Sequence, residues 1–177
     1  MAPEYPAFNV QETATRLADS LQTLEWATSL VPPQWTHALP DYYSPGEWSV
    51  AMILAHLVIY EETMAAPVLE ALAAGGDGVD AAPSPGEGSL SAAKAISDSA
   101  VEELLERLAA SRTRQIEIVK SYAPERFNEP VTSLWVNSPI HGRSLHSAGW
   151  VATKTFQHTW EHGNAIMRVA LFAPRGS

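Results

Sequence analysis

The stretch SPGEWSVAMILAHL, residues 44–57, decides the fold, because it joins a helix-start signal to the longest apolar-rich segment of the chain. Ser44 is an N-cap candidate, Pro45 suits the first helical position, and Glu47 stands three residues after the cap, as in a capping box. The apolar segment from Val50 to Tyr60 follows directly. The sequence therefore predicts a core helix that begins at Pro45.

The far end of this helix is set by glycine and proline. Pro67 removes one backbone donor and predicts a kink or a division of the helix. Gly75 and Gly76 predict its end after about Ala74, and a loop rich in Gly, Pro, Asp and Ser continues to Gly88. We interpret residues 75–88 as a long crossover or a flexible tip. Sequence periodicity does not define the conformation of this loop.

Apolar residues at helical spacing predict three further helices, and two of them begin at capping-box patterns. Residues 123–143 contain prolines and a glycine and are interpreted either as a small hairpin or as an irregular cap. Four amphipathic helices without sustained strand alternation indicate an all-α four-helix bundle, one domain over residues 1–177. The three helices are predicted over Val10–Ser29, about Ser99 to Tyr122, and about Ser144 to Phe172, with Asn9–Glu12 and Ser99–Glu102 as capping pairs.

Composition narrows the classes of function. The formal net charge is -9 and the 11 basic residues are scattered, so we expect no nucleic-acid partner. Without cysteine, a transition-metal site must use His, Asp or Glu. The first ten residues lack signal-peptide features, and the segment Val50–Tyr60 is too short to cross a bilayer. These features predict a cytoplasmic protein with no membrane partner.

Two histidines on the last predicted helix are candidate metal ligands. His158 and His162 are four residues apart, which places both imidazoles on one helical face. The same face carries Val151, Ala165 and Val169, so it is directed toward the core. Burying two unpaired imidazoles costs free energy that a metal ion or a hydrogen-bonding network offsets. A pair of hydrogen-bonded histidines on a partly wet helix is the alternative.

His56, within the apolar core helix, is the third candidate ligand. Measured from the predicted helix starts, His56 lies about 17 Å along its helix and the pair about 20–26 Å along theirs, so all three are near mid-bundle. Three histidines and an open water position are typical of a catalytic metal site. The remaining histidines, His37, His141 and His146, are predicted to lie in loops or to face elsewhere.

Glu161 raises a competing interpretation. His158-Thr-Trp-Glu-His162 fits the H-x-x-E-H pattern of one class of metalloprotease. Such enzymes need a further acidic ligand well downstream, and only fifteen residues follow His162 in the sequence, so we reject that class. Glu161 is kept as a candidate general base or as a carboxylate behind the ligands, with a solvated acid as the alternative.

Taken together, these residues resemble a known family. Trp48-Ser49, His56-Leu57 followed by Glu61, and the pair at 158 and 162 resemble the DinB/YfiT-like superfamily. The resemblance implies a small, often dimeric four-helix bundle with one divalent metal ion on His56, His158 and His162. Some relatives are thiol S-transferases or isomerases that use bacillithiol, mycothiol or glutathione.

The resemblance leads to a first hypothesis, a metal-dependent thiol transferase or a related metal-dependent hydrolase. Zinc or nickel is the expected metal, with iron and manganese left open, and the expected partners are a small thiol or electrophile and a second copy of the chain. Tyr60 is a weak catalytic candidate, and Tyr60, Lys154 and Thr155 are the expected pocket residues.

Two alternative functions stay open beside this hypothesis, and the sequence differs from the family pattern at one point. The alternatives are a non-catalytic, metal-stabilised module for dimerisation or ligand binding in a stress response, and a metal-free bundle with three core histidines. The difference from the family pattern lies directly after His162, the last candidate ligand. Relatives often show His-x-Gly-Gln, whereas here His162-Gly163-Asn164-Ala165 stands. Any role that this glutamine has in the relatives therefore has no counterpart in this chain.

Overall fold

Four long helical rods pack side by side in this computed structural model, which describes residues 7–39, 47–75, 87–131, 135–138 and 142–172. The predicted all-α four-helix bundle is confirmed. The helices are α1 Val10–Ser29, α2 Val50–Tyr60, α3 Ala66–Ala73, α4 Glu87–Ile96, α5 Val101–Ser121, α6 Pro124–Asn128 and α7 Ala148–Phe172, with a 3₁₀ turn Pro33–Trp35, a π-helical turn Glu61–Ala65 and the strands β1 Trp135–Ser138 and β2 Gly142–Leu145.

The helix directions follow from contacts between their ends. Phe8 lies against Gly149, and Leu24 lies near Gly163, so α1 and α7 run parallel. Arg107 of α5 pairs with Glu62, and Tyr122 donates to the carbonyl oxygen of Leu69, so α5 runs parallel to the α2–α3 rod. The chain therefore crosses over between α3 and α5, as predicted, and α4 packs on α2 along the way.

Helix α1 has the predicted bounds, because both of its ends carry strong local signals. The side chain of Asn9 accepts a hydrogen bond from the backbone N–H of Glu12 at 2.8 Å, which satisfies one of the free donors of the first turn. The Glu12 carboxylate accepts from Arg16 one turn later.

The predicted start of the second helix at Pro45 is wrong. Residues 47–49 are not helical, and the helix begins at Val50 with Ser49 as its N-cap, whose hydroxyl accepts from the N–H of Met52 at 3.2 Å. Ser44 and Pro45 lie outside the described residues. The sequence offers two serine caps five residues apart, and the later one adjoins the uninterrupted apolar run.

The starts of the third and fourth predicted helices also need correction. Helix α5 begins at Val101, and its N-cap Ala100 makes no side-chain capping bond, so the Ser99–Glu102 capping box does not form. Helix α7 begins at Ala148, because Ser144 and Leu145 belong to strand β2. The hydroxyl of Ser147 accepts a hydrogen bond from the N–H of Trp150 and so caps the first turn of this helix.

Residues 123–143 were predicted to form either a small hairpin or an irregular cap. They contain a short helix, α6, and an antiparallel hairpin. Strands β1 and β2 pair from Trp135 opposite Leu145 to Ser138 opposite Gly142. Residues 132–134 and 139–141 lie outside the described part. Helix α4 was not predicted, because its short sequence is dominated by Ala, Ser and Gly.

The division expected near Pro67 takes the form of the π-helical turn, which joins α2 and α3 into one continuous helical stretch. This Val50–Ala73 stretch of 24 residues is long and apolar enough to span a membrane by length and composition, against the expectation from residues 50–60 alone. In its most apolar window, 67% of the residues are buried inside the bundle. A mostly buried core helix passes the same test of length and composition.

Candidate metal centre

Three imidazoles converge between α2 and α7. The Nε2 atom of His158 lies 3.1 Å from that of His56 and 3.1 Å from that of His162. One ligand atom of each histidine lies within 4.8 Å of the other two. His56 is buried and the other two are half-buried. The structure thus brings together the three histidines singled out in the sequence, and this cluster could hold a metal ion.

Aromatic rings hold the imidazoles from two sides. The Trp48 ring stacks on His162 with centroids 6.0 Å apart and an interplanar angle of 4°, and it meets the His56 ring edge-on at 5.0 Å. The Tyr60 ring contacts His158 at 4.4 Å. These contacts restrict the orientation of the imidazoles and reduce their contact with water.

Burial keeps all three imidazoles neutral at pH 7. It lowers the pKa of His56 to about 4, with repulsion from His162 as a smaller cause. It lowers the pKa of His158 to about 3, and His162, His56 and Lys154 act in the same direction. It also lowers the pKa of His162. A neutral imidazole retains the lone pair that a metal ion requires.

Hydrogen bonding alone does not satisfy this cluster. A neutral Nε2 either donates one proton or accepts with one lone pair, so the Nε2 of His158 cannot make ordinary hydrogen bonds of both kinds to its two neighbours. The buried Nδ1 atoms of His56 and His158 have no hydrogen-bond partner among the described residues. The aromatic contacts, together with the Nε2 contacts, therefore orient these two rings, while their Nδ1 atoms contribute nothing to the orientation.

The other predicted site residues surround the cluster at different depths. Thr155 is buried, and its hydroxyl donates to the carbonyl oxygen of Val151. Burial raises the pKa of Tyr60 to about 12, although the nearby Thr155 side chain opposes this. Lys154 is half-buried and close enough to influence the pKa of His158. Glu161 is exposed and makes no hydrogen bond or ion pair within the described part of the chain. The roles of these four residues stay predictions.

The remaining histidines lie apart from the cluster. His37 is exposed, and its ring bonds to the Thr36 hydroxyl and to the carbonyl oxygen of Ser99. His146, expected on the last helix, precedes it and is buried against the Trp150 ring at 4.0 Å. His141 lies outside the described residues.

Sequence reasoning missed a buried ionic network next to the cluster. Arg112 and Glu61 are 1% and 0% exposed, and the guanidinium donates to both carboxylate oxygens. It also donates to the hydroxyl of Thr159, the residue after His158, at 2.9 Å. Further bonds connect the pair to α1 through the Leu17 carbonyl and the Ser20 hydroxyl, and to Gln115, which donates to Glu61.

A signal for this network was present in the sequence. The apolar stripe of α5 continues through Leu104 and Leu108 and resumes at Val119, and the positions between them on that face are Arg112 and Gln115. A charge on a core stripe requires a buried partner, and Glu61 supplies it from the π-helical turn.

Comparisons with known proteins identify the family and the fold of this chain. A sequence profile of the DinB superfamily matches residues 9–166. Among solved structures, the colibactin self-resistance protein ClbS, in complex with a dsDNA, superposes with a TM-score of 0.69 over 96% of this chain and 99% of that chain, at 13% identity. That identity shows a common fold and no more. No curated protein matches the sequence.

The ClbS structure corrects one prediction. The expectation that nucleic acid is excluded as a partner is wrong, since a protein of the same fold is in complex with dsDNA. The reason is physical. A net charge of -9 is a sum over the whole chain, whereas contact with phosphates depends on the local arrangement of basic side chains.

Proposed function

This chain belongs to the DinB superfamily, and we propose that it is a metal-dependent enzyme in which His56, His158 and His162 hold one divalent ion. We propose further that it joins a low-molecular-weight thiol, through its sulfur atom, to an electrophile. We also propose that the chain is one domain over residues 1–177 and that it acts in the cytoplasm. The burial of the Val50–Ala73 stretch inside the bundle supports that location over a membrane.

The spacing of the three imidazoles is the observation that carries the proposal. An ion that binds imidazole nitrogens at about 2.0–2.1 Å in tetrahedral geometry separates these nitrogens by about 3.3–3.4 Å. Two of the Nε2 separations here are 3.1 Å. These two separations need to increase by only a few tenths of an ångström, and the ligand atoms of the remaining pair, His56 and His162, lie within 4.8 Å of each other. Because hydrogen bonding does not satisfy every ring nitrogen, an ion that takes their lone pairs would stabilise the cluster. The three histidines are therefore suited to hold a divalent metal ion.

The donor set restricts the metal. Three neutral imidazoles without a thiolate or a carboxylate suit zinc, nickel, copper or iron better than magnesium or calcium. Zinc or nickel remains our first choice, and manganese is less suited to nitrogen ligands alone. When bound, such an ion supplies Lewis acidity, which lowers the pKa of a coordinated thiol or water.

The surrounding side chains prepare the site for this chemistry. Trp48 and Tyr60 exclude water from two sides, which strengthens electrostatic interactions within the cluster. The raised pKa of Tyr60 keeps its hydroxyl protonated, so that it is a donor rather than a base. In the transfer, a bond forms between the thiol sulfur and the electrophilic carbon, the leaving group departs with its electron pair, and the thiol proton passes to solvent.

Metal analysis tests the proposal directly. Protein purified without a histidine tag and incubated with zinc or nickel should retain about one ion per chain after dialysis, measured by mass spectrometry of the elements. The variant His158→Ala should lose the ion, whereas His37→Ala, which removes an exposed histidine away from the cluster, should keep it. A wild-type chain that retains neither metal would contradict the proposal. Consumption of glutathione together with an aryl halide then tests the transferase activity.

A non-catalytic, metal-stabilised module is the second candidate. The observation that favours it is the exposed position of Glu161, together with the absence of any carboxylate bonded to the three imidazoles within the described residues. This candidate predicts a stoichiometric ion without turnover for any thiol and electrophile pair, and it predicts that metal changes stability or self-association alone.

Binding of duplex DNA is a third candidate function, and the ClbS complex is the observation that favours it. Arg107 and Arg114 line one surface cavity of this chain, although they pair with Glu62 and Glu70 respectively. Fluorescence anisotropy with a labelled duplex tests this candidate. Specific involvement of this surface requires that binding weakens with salt and with Arg107→Gln, but not with Arg16→Gln.

A further inference from the structure

A surface cavity of about 340 Å³ is lined by His162, one of the three clustered histidines. Helix α7 contributes His162, Arg168 and Val169 to its lining, and Glu47, Trp48 and Ile53 line the opposite side. His162 thus belongs both to the cluster and to the cavity wall. A volume of this order is sufficient for a small organic molecule.

The inner surface of the cavity is apolar. Ile53 and Val169 are buried core residues whose side chains reach the cavity, and the Trp48 ring extends this surface up to His162, on which it stacks. An apolar or aromatic group placed there loses its water shell and gains contact with three hydrophobic side chains.

The cavity also carries an arginine without a carboxylate partner. Arg16, Arg107, Arg112 and Arg114 each form an ion pair. Arg168 is exposed and makes no hydrogen bond or ion pair with any residue that the structure describes. Its position six residues after His162 places it about 9 Å further along α7. A guanidinium in this setting is suited to bidentate binding of a carboxylate.

A tyrosine ring and a buried ion pair lie on the other side of the cluster. Tyr60 covers His158, and behind it lies the buried pair of Glu61 and Arg112. Because His162 lines the cavity, a ligand bound there contacts one imidazole of the cluster directly. Sequence reasoning had placed the pocket at Tyr60, Lys154 and Thr155 instead.

We propose that this cavity is the substrate pocket and that it takes a small amphipathic carboxylate. The apolar body of the ligand lies against Trp48, Ile53 and Val169, its carboxylate binds Arg168, and its reactive end faces His162. The proposal rests on the proposed function, because it names the substrate class of the same site. Glu47, which is exposed on the other side of the cavity, disfavours a second anionic group there.

Binding of 3-phenylpropanoate, compared with its neutral amide 3-phenylpropanamide, tests the proposal. Dissociation constants are measured by NMR titration of the metal-free and the zinc-loaded chain. We expect Arg168→Gln to weaken binding of the carboxylate about tenfold and to leave binding of the amide unchanged, because only the carboxylate uses the guanidinium charge. The matched control Arg16→Gln removes the same charge from α1 and should change neither constant. Glu47→Gln should strengthen binding of the carboxylate or leave it unchanged.

Equal effects of Arg168→Gln on the acid and the amide, or weaker binding of the acid in Glu47→Gln, would overturn the proposal. So would failure of the wild type to bind the acid in both metal states. The proposed function fails independently, by absence of metal from the wild-type chain. Carboxylate binding that depends on Arg168 in a chain without metal would leave the pocket in place and remove the metal chemistry.

Discussion

Each buried imidazole of the cluster makes the stability of the metal-free chain sensitive to acid. An unfolded histidine takes up a proton near pH 6.5, whereas the pKa of folded His56 is about 4 and that of His158 is about 3. Between these values the unfolded state binds more protons than the folded state, so stability falls as the pH falls. Above about pH 6.5 both states are neutral and the contribution is constant.

We therefore expect the free energy of unfolding of the metal-free chain, measured with urea in EDTA, to be level above about pH 6.5 and to decline toward pH 4. The variant His158→Gln should decline less steeply, because it has one fewer group to protonate. Equal slopes for the two proteins would show that His158 is not held neutral by burial.

Removal of one partner of the Arg112–Glu61 ion pair should lower the unfolding free energy more than removal of both partners. Arg112→Met leaves a buried carboxylate without its cation, which should cost about 3–5 kcal/mol of unfolding free energy. The double variant Arg112→Met with Glu61→Leu removes both charges and should be more stable than the single variant. Urea unfolding at pH 7 measures both. A single variant within about 1 kcal/mol of wild type would contradict the importance of the pair.

At the scale of helices, close approach distinguishes two glycines of α7. A Cβ at Gly149 would lie 2.7–3.0 Å from side-chain atoms of Phe8, whereas a Cβ at Gly163 would lie 3.8 Å from Leu24, an ordinary contact. Gly149→Ala should therefore destabilise by about 1–3 kcal/mol through overpacking. Gly163→Ala should stabilise by up to about 1 kcal/mol, because alanine is the better helix former. Thermal unfolding of the two variants measures the difference, and equal shifts in Tm would rule out the close contact with Phe8 as the cause.

Helix centres were easier to predict than helix starts. The apolar stripes depend on local spacing and placed α1, α5 and α7 and the three histidines correctly. Starts depend on which of several caps is used, and the second helix uses Ser49, which adjoins the apolar run, rather than beginning at Pro45. The start of α7 was misplaced, because Ser144 pairs with Val136 across a hairpin, a contact that helical spacing does not encode.

The ionic network was missed for a related reason. Arg112 contacts Glu61 across 51 residues of sequence, and nothing local to either residue indicates the other. The π-helical turn also shifts the helical phase after Tyr60, so that a projection at 100° per residue does not place Glu61 reliably. The convergence of the histidines was predicted correctly, but the depths used for it were not. From the observed starts, His56 lies about 9 Å along its helix and the pair about 15–21 Å along α7, so their shared direction toward the core is what brings them together.

Across the whole molecule, the cluster connects parts of the chain that are far apart in sequence. His56 and His158 are 102 residues apart, and they join α2 to α7. Because the unfolded chain does not hold these imidazoles together, an ion that binds them stabilises the folded state alone. Free zinc at a hundredfold excess over its dissociation constant should add about 2.7 kcal/mol.

For a chain of this length, that free energy corresponds to a rise in Tm of about 5–11 °C. The rise should increase with the logarithm of the zinc concentration, and scanning calorimetry at several concentrations measures it. His37→Ala should keep the rise, because this histidine bonds to Ser99 away from the cluster. His158→Ala should lose it. An equal rise in both variants would assign the effect to zinc bound elsewhere on the surface, since only a site that bridges α2 and α7 through His158 makes Tm depend on this residue.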